Sequence, residues 1–368
     1  MFEQTIRNFK INFISFLVGY DPINKSNTFV SGDYITGQIT LELSQECKIQ
    51  SLFVKLKGKA EVLWREYDGK TVITYHSKDK YFTIKQFVIQ ESQGNTVIPP
   101  GCHVYPFTFQ IPAQELPSSF RGSCGKIVYR LEANLSRSMR KDSKAKAEFT
   151  LIHKENLDRE LMTPQQDMTD KKMNLFTSGS VAMDVSIPKT AFLQGNYELY
   201  IKVVASVQNK SSRDIKLKYC LYRKYSYFAS KKRKLETKDI LKEEGEAIPQ
   251  SAGQTVTKII TVPSTETASV LNCNIIKVEY RLRVHLDVKY ASNPEIKFPI
   301  VILPALEGSD KQQSSDYSAS GFEASSNSDF PEGASFLQNP AAPGVDGLPP
   351  SYETYDMYPS LNSSDRKS

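Results

Sequence analysis

The sharpest chemical signal in the sequence is a short proline-tyrosine motif. Pro349, Pro350 and Tyr352 stand in the tetrapeptide Pro-Pro-Ser-Tyr. A proline pair is already restricted to extended, polyproline-like geometry, so it loses little conformational entropy when it docks in an aromatic groove. The tyrosine fills a second pocket and sets the direction of binding. Chance gives only about 0.05 such matches in a chain of this composition. The motif therefore predicts binding to a WW domain.

A second tyrosine motif follows shortly after the first. Tyr358, Pro359 and Leu361 form a Tyr-Pro-x-Leu pattern, which is typical of segments that dock in ESCRT-associated adaptor proteins. Because only three positions are fixed, this pattern is less specific than the Pro-Pro-x-Tyr motif. An idle segment, or the remnant of a second Pro-x-Tyr element, is the alternative interpretation.

Basic residues form one compact run, Lys231, Lys232, Arg233 and Lys234. Three uses of this run remain open: contact with a lipid or cargo phosphate, a nuclear localisation signal, or a solvated loop. Arg281 and Arg283 lie on a strand face that also carries acids. Such a mixed face is typical of ordinary surface rather than of a phosphate site.

Residues for catalysis or metal binding do not cluster in the sequence. The five cysteines show no C-x-x-C spacing and the four histidines are scattered, so no metal site is predicted. The motifs of common hydrolases, nucleotide-binding proteins and zinc proteases are absent. We predict neither an enzyme nor a bound cofactor. Five cysteines in 368 residues indicate a reduced, cytoplasmic protein rather than a disulfide scaffold.

Charge divides the chain into two unequal parts. Residues 306–368 hold ten acids and three bases, whereas residues 1–305 hold 31 acids and 44 bases. The basic body is expected to prefer anionic partners, such as phosphorylated peptides or acidic lipid headgroups. No nucleic-acid partner is expected, because no stacking-aromatic motif with basic flanks accompanies the charge. No uncharged apolar run reaches about 18 residues, so no transmembrane helix is predicted.

The elements that carry these residues have an apolar period of two up to about Leu303. In the clearest case, from Ile276 to Val288, seven apolar residues alternate with six polar ones. A strand puts all seven on one face, whereas a helix would spread them around its circumference. Many strands with one buried and one solvent-exposed face predict antiparallel sheets and β-sandwiches. The best helix candidate is Ser230 to Gly245, with a charged hairpin loop as the alternative.

Composition sets the expected domain boundaries. Residues 156–178 are polar, contain a proline and show no alternation, so they are interpreted as a linker between domains at 1–155 and 179–305. Residues 306–368 are rich in Ser, Pro and Gly, and their apolar residues are scattered. They cannot bury enough surface to offset their chain entropy, which predicts a disordered tail containing both tyrosine motifs.

Several blocks of the sequence resemble a known family. Ile98 to Arg137 contains a Pro-Gly turn, an aromatic-rich strand, an LPSSF loop and a G-x-Val/Ile-x-Tyr strand. Ser31 to Leu43 (SGDYITGQITLEL), Asn209 to Ser212 (NKSS) and Ile275 to Val288 (IIKVEYRLRVHLDV) add three further blocks. In this order the blocks resemble the arrestin N-domain and C-domain over about residues 5–305. Together with the Pro-Pro-x-Tyr motif, they make the chain similar to the arrestin domain-containing proteins, or α-arrestins.

The resemblance implies an all-β fold with two arrestin-like antiparallel β-sandwich domains in tandem. It also implies a non-enzymatic adaptor whose body engages the cytoplasmic tails of membrane receptors or transporters. The tail of such an adaptor recruits HECT-type ubiquitin ligases through their WW domains, and the cargo is then ubiquitinated, internalised and sorted. The expected location is the cytoplasm, with peripheral association at the plasma membrane and endosomes.

The sequence departs from the family pattern in two places. Many α-arrestins carry two Pro-Pro-x-Tyr copies, and this chain has one. The stretch Pro263 to Asn274 matches an acidic loop of the visual and β-arrestins, yet it holds a single acid, Glu266. A trafficking-coat subunit of the retromer type is the competing hypothesis, because those proteins also use paired arrestin-like sandwiches. The Pro-Pro-x-Tyr motif favours the adaptor.

Overall fold

The computed structural model describes residues 13–90, 96–154, 159–173, 179–194, 199–264, 266–288 and 293–304. Strands dominate these ranges, and the one helix within them is α1, a single turn at Arg159–Met162. No helix in the described part of the chain is long and apolar enough to cross a bilayer. Both tyrosine motifs and the predicted tail at 306–368 lie outside the described residues.

The first sandwich consists of two main sheets and a small ribbon. Its strands are β1 Phe13–Tyr20, β2 Thr28–Phe29, β3 Tyr34–Leu43, β4 Cys47–Ile49, β5 Ser51–Asp68, β6 Thr71–Ile89, β7 Thr96–Ile98, β8 Gly101–Gln110, β9 Phe120–Arg121, β10 Gly125–Arg137 and β11 Arg140–Leu151. One sheet has the order β1-β3-β8, and the other has the order β2-β11-β10-β5-β6 with β9 beside β10. Strands β4 and β7 pair with each other as the ribbon.

The second sandwich repeats this two-sheet plan. Its strands are β12 Gln165–Met173, β13 Gly179–Ile187, β14 Ala191–Leu193, β15 Leu199–Ser211, β16 Ile215–Ala229, β17 Lys232–Ile248, β18 Ala252–Val262, β19 Ile276–Asp287 and β20 Glu295–Leu303. The sheets have the orders β12-β13-β15-β18 and β14-β20-β19-β16-β17. The prediction of two antiparallel β-sandwiches in tandem is confirmed. The only parallel pairs among the described strands are β2 with β11 and β14 with β20.

Burial follows the alternation of the sequence. Every second residue of β19 is buried and those between are half-buried. Every second residue of β3 and β15 is buried as well, and the residues between them are mostly exposed. Because the inward faces of paired sheets interdigitate, each strand contributes one row of side chains to a core about 10 Å thick.

The two sandwiches form one compact unit and share one continuous hydrophobic cluster. At their junction the Phe120 ring packs edge-on against Tyr225, with 5.5 Å between ring centroids. The Tyr81 hydroxyl also donates a hydrogen bond to the Cys273 sulfur across the junction, at 3.3 Å. Shared apolar packing and a cross-junction hydrogen bond fix the outward faces of the two sandwiches relative to each other.

The helix interpretation of Ser230 to Gly245 is wrong, and the alternative of a charged hairpin loop holds only for the turn itself, because the segment from Lys232 onward is strand β17. Strand β17 pairs antiparallel with β16 along this segment. The turn is made by Ser230 and Lys231, both in the left-handed region with φ values of 49° and 64°. The charge pattern is locally compatible with a helix, but pairing with the long strand β16 satisfies the backbone hydrogen bonds instead.

The interpretation of residues 156–178 as a linker is wrong for its central part. Gln165–Met173 form β12, which pairs antiparallel with β13 of the second sandwich. Because β12 is the edge strand of its sheet and is mostly exposed, its side chains need no apolar alternation. The sequence pattern therefore gave no sign of it.

Candidate binding surface

A sheet of the first sandwich presents a cluster of bases on its outward face, which we call the basic face. Antiparallel pairing puts directly opposed residues on the same side of the sheet. The register therefore collects Lys55, Lys57 and Lys59 of β5, Lys80 and Lys85 of β6, Arg130 and Glu132 of β10, and Lys144, Lys146 and Glu148 of β11. Glu61, the next outward residue of β5, pairs with Lys59. Eight bases against three acids give this face a net charge of +5.

A single buried acid lies at the centre of the basic face. The Glu132 carboxylate accepts hydrogen bonds from Lys57 Nζ at 2.8 Å and from Arg130 Nη2 at 3.2 Å. Burial alone would raise the pKa of this carboxyl. The hydrogen bond from Lys57 and the positive charges around it outweigh burial and hold the pKa below its ordinary value. Glu132 is therefore ionised and holds two of the bases along the sheet.

The remaining bases exceed what Glu132 can neutralise. Burial, followed by the like charges of Lys57 and Lys85, lowers the pKa of the Lys55 ammonium, and Glu132 offsets only part of this. Lys144 adds to the repulsion. A face that crowds cations against one another gains electrostatic stabilisation when an anion binds between them.

Aromatic rings lie beside the bases at one end of the face. Phe53 and Phe87 pair across β5 and β6, with ring centroids 5.7 Å apart. Lys85 Nζ lies over both rings, at 4.0 Å and 3.8 Å from their centroids. Phe87 is partly exposed. This end of the face offers both charge and apolar contact, which suits a peptide that carries acids beside apolar side chains.

The matching outward face of the second sandwich differs because its charges are paired. Lys218 bridges Asp287 at 2.8 Å and Glu244 at 3.4 Å, and Lys242 bridges Asp239 at 2.7 Å. Further pairs are Lys216 with Glu244, Lys224 with Glu279, Arg283 with Glu295 and Lys297 with Glu295. Arg281 and Arg283 lie on this mixed face. Six bases of this face thus have anionic partners, so the larger excess of positive charge lies on the first sandwich.

The basic run Lys231–Lys234 lies at the turn between β16 and β17 and is largely occupied by the protein itself. Lys232 Nζ lies over the Tyr75 ring of the first sandwich at 5.8 Å. Arg233 donates to the Ser226 hydroxyl at 2.7 Å, and the last lysine of the run lies 3.8 Å from a glutamate. Lys231 itself is exposed. Anion binding by the run stays a prediction.

One buried ion pair was not predicted from the sequence. Glu266 pairs with Arg223 of β16, and both side chains are nearly buried. The Tyr280 hydroxyl donates to the Thr267 carbonyl and lies 3.4 Å from the same carboxylate. The single acid of the Pro263–Asn274 stretch thus belongs to a polar cluster inside the second sandwich. An arginine at an inward position of an alternating strand was the available signal.

The chemistry of the described residues is otherwise structural. No group of three His, Cys, Asp or Glu side chains within the described ranges could hold a metal ion. All five cysteines are free thiols. Burial raises the pKa of the Cys47 thiol and of the Cys220 thiol, so neither is an activated nucleophile. Among the described residues, the feature suited to a function is therefore the basic face, which can bind anionic ligands.

Sequence reasoning noticed the positive charge of the body but not where it collects. The lysines of β5 stand at every second position, which is the spacing that places them on one face. That spacing was a readable signal for three of the eight bases of the face. The contributions of β6, β10 and β11 come from sheet register, which no local pattern contains.

Comparison with known proteins places this geometry in a family. Residues 16–158 match the N-terminal domain of the family described as arrestin (or S-antigen), and residues 177–305 match its C-terminal domain. Arrestin domain-containing protein 4 of Mus musculus is 28% identical over 286 residues, covering 74% of this chain and 68% of that protein. The Homo sapiens protein of the same name is 28% identical over 290 residues, covering 76% and 68%.

A second kind of relative covers more of the chain at lower identity. Thioredoxin-interacting protein of Rattus norvegicus is 25% identical over 308 residues, covering 82% of this chain and 75% of that protein. These relatives indicate an adaptor-like role, and arrestin domains serve as binding modules rather than as enzymes. With both domain matches in tandem and relatives of this kind, the chain belongs to the arrestin family, and within it to the α-arrestins.

Proposed function

We propose that the protein is a non-enzymatic adaptor that links membrane-protein cargo to WW-domain HECT-type ubiquitin ligases and so promotes cargo ubiquitination, endocytosis and endosomal sorting. The observation that carries this proposal is the combination of two arrestin domains with Pro349-Pro350-Ser351-Tyr352 after the second one. The domains supply a rigid binding body, and the motif supplies a docking peptide for the ligase.

The basic face is the part of the body that we assign to cargo. Its eight bases outnumber its three acids, which leaves a net charge of +5, and the like charges add to burial in lowering the pKa of Lys55. Acidic or phosphorylated segments in the cytoplasmic tail of a receptor or transporter are the complementary ligands. Binding of this kind weakens as salt concentration rises, because the bases are partly exposed.

The proposal includes a place in the cell and a second docking element. A protein that meets membrane cargo and ligases works in the cytoplasm, in peripheral contact with the plasma membrane and endosomes. Tyr358, Pro359 and Leu361 would let the same segment reach an ESCRT-associated adaptor. Both statements rest on the sequence and the family.

A pull-down from cell lysate followed by mass spectrometry tests ligase recruitment. Wild type is compared with Tyr352→Ala, and Tyr358→Ala serves as the matched control because it removes a tyrosine from the same segment and leaves Pro-Pro-x-Tyr intact. We expect wild type and the control to capture WW-domain ligases, and Tyr352→Ala to lose them. If no ligase is lost with Tyr352→Ala, the adaptor proposal is wrong. Coat subunits captured instead would support the retromer-like alternative.

A labelled peptide rich in glutamate and phosphoserine tests the basic face by fluorescence anisotropy. The double variant Lys55→Gln/Lys146→Gln removes two bases of the face, and we expect its affinity to fall about tenfold or more at low salt. Lys216→Gln is the matched control, because Lys216 already pairs with an acid on the second sandwich. Equal losses in both variants would show that the basic face has no special role.

A further inference from the structure

We propose that the first sandwich contacts anionic lipid bilayers through the turn between β10 and β11, with Met139 at the apex of the contact. We call residues 137–141, which form this turn, the hairpin tip. The proposal deepens the peripheral membrane association proposed above, because it names the surface that makes it.

Met139 is placed where folding gives no reason for it. Arg137 pairs with Arg140, so Ser138 and Met139 alone form the turn. Met139 is fully exposed and its φ of 54° lies in the left-handed region. That conformation is strained for a non-glycine residue with a long side chain, and Gly or Asn adopts it more readily. An apolar side chain at this apex neither eases the turn nor packs on the core.

Bases surround the apex. Arg140 and Lys141 are exposed, and neither forms an ion pair with any described residue. Arg137 and Lys144 flank them on the two strands, and the one acid between these bases, Asp142, accepts a hydrogen bond from Asn134 at 2.9 Å. An apolar apex with basic flanks is the chemistry of an interfacial membrane contact, where the apolar group enters the headgroup layer and the bases meet anionic lipid phosphates.

The neighbouring β4–β7 ribbon repeats this chemistry at the same end of the sandwich. The Gln50 amide donates to the Ser136 carbonyl at 2.8 Å, which joins the ribbon's exit to the hairpin. On the ribbon, Lys48 pairs with Val97, whose side chain is 50% exposed. A second base and a second exposed apolar residue thus accompany the hairpin tip.

A bilayer fits this surface better than a peptide does. A peptide is an extended ligand that needs a row of contacts, such as the basic face offers across four strands. The hairpin tip is the projecting end of a strand pair, and it meets a flat, multivalent surface at its apex. Two or more weak contacts with anionic headgroups then add, and each base near the surface raises the affinity about fivefold.

The position of the tip also places the basic face beside the membrane. Glu132, at the centre of that face, and Arg137, in the tip, stand on the same strand. Their separation of five residues corresponds to about 17 Å. With the tip in the headgroups, the basic face stands at a height that a short juxtamembrane segment of cargo can reach.

Vesicle co-sedimentation of the full chain tests the contact. The vesicles are phosphatidylcholine alone or phosphatidylcholine with phosphatidylserine. We expect binding to the second kind only, a loss of about five- to tenfold with Met139→Ser, and a loss of about 25-fold with Arg140→Gln/Lys141→Gln. Lys70→Gln is the matched control, because Lys70 is also an exposed base at a hairpin turn, the one between β5 and β6. It should leave binding unchanged.

A spectroscopic variant reports insertion directly. Trp64 is the single tryptophan of the chain and is 4% exposed. In Met139→Trp, vesicles should shift the emission of the new tryptophan to the blue, and brominated lipids should quench it. Wild type provides the background, since Trp64 is out of reach of the lipid. Absence of quenching in the variant would refute insertion of the apex.

The outcomes separate this inference from the adaptor proposal. Tyr352→Ala should lose the ligase and keep vesicle binding, whereas Met139→Ser should do the reverse. The inference is wrong if Met139→Ser binds vesicles as tightly as wild type. It is also wrong if the acidic phosphopeptide displaces vesicles equally well from wild type and from Met139→Ser. In both cases the hairpin tip binds anions rather than a bilayer. If ligase capture fails while vesicle binding follows Met139, the adaptor proposal alone fails.

Discussion

Replacing Glu132 with glutamine should lower the stability of the first sandwich and raise its affinity for anions. The free energy of unfolding falls because the Glu132 carboxylate accepts two hydrogen bonds, from Lys57 at 2.8 Å and from Arg130 at 3.2 Å. A hydrogen bond to a charged group contributes about 1.5–3 kcal/mol. Because Lys57 and Arg130 each keep 24% of their side chains exposed, they can turn towards water. We therefore expect a loss of about 2 kcal/mol, below the cost of breaking a fully buried pair.

The same substitution should strengthen the binding of anions, although it weakens the fold. Glu132→Gln removes one of the three acids of the basic face and leaves its eight bases in place. Removing one negative charge next to a partly exposed binding site changes the binding free energy of an anion by about 1 kcal/mol, which is about fivefold in affinity. A purely structural role for Glu132 would not raise affinity for an acidic peptide.

Chemical denaturation followed by Trp64 fluorescence measures the free energy of unfolding, since Trp64 is buried and stacked on Tyr75 at 5.1 Å. Fluorescence anisotropy with the phosphopeptide measures the change in affinity for anions. Glu148→Gln is the control, because its pair with Arg121 is about half exposed, and it should change the free energy of unfolding by less than about 0.5 kcal/mol. An unchanged denaturation midpoint, or a weaker peptide affinity, would refute the reasoning.

The same variant has a defined pH signature. The pKa of Glu132 is lowered in the folded protein, so its contribution is present above the unfolded-state pKa of about 4.3 and is lost as pH falls through the folded-state pKa. The stability difference between wild type and Glu132→Gln should therefore shrink in acid. A difference that grows as pH falls would contradict an ionised, hydrogen-bonded Glu132.

Three further substitutions probe the framework. Asn209→Ala should lower the free energy of unfolding by about 3 kcal/mol in denaturation experiments, since its fully buried amide lies 2.8–3.1 Å from three backbone carbonyls. Gly58→Ala should cost about 1–3 kcal/mol, because a Cβ there would come within 2.8 Å of two aromatic rings, whereas at Gly245 the nearest atom is 3.4 Å away and Gly245→Ala should cost less. Glu266→Gln should cost about 3 kcal/mol by leaving Arg223 buried without its partner, and Arg223→Met/Glu266→Met should recover much of it; equal stability of the single and double variants would contradict a compensated pair.

The strand content of the protein could be predicted because burial on one face leaves a direct trace in the sequence. The alternation from Ile276 to Val288 predicted a strand, and β19 occupies almost the whole segment. Strand β12 left no such trace, because an exposed edge strand needs no apolar face. The segment after Ser230 has charges compatible with a helix, and only its pairing with β16 makes it a strand.

The binding surface was predictable in kind but not in place. The excess of bases in residues 1–305 is a property of composition, and it indicated an anionic partner. The visible run Lys231–Lys234 proved to be engaged largely within the fold. The larger cluster on the first sandwich comes from four strands that are far apart in the chain.

By itself, the sequence determined the all-β class, the two domains, the family and the Pro-Pro-x-Tyr motif, because each of these depends on local spacing or on ordered blocks along the chain. Only the tertiary structure decided that Glu132 is the buried centre of the basic face, that Glu266 pairs with Arg223, and that Met139 stands alone at a basic apex. Register and sheet order create these juxtapositions, since they join residues across strands whose pairing depends on the whole fold rather than on neighbouring residues.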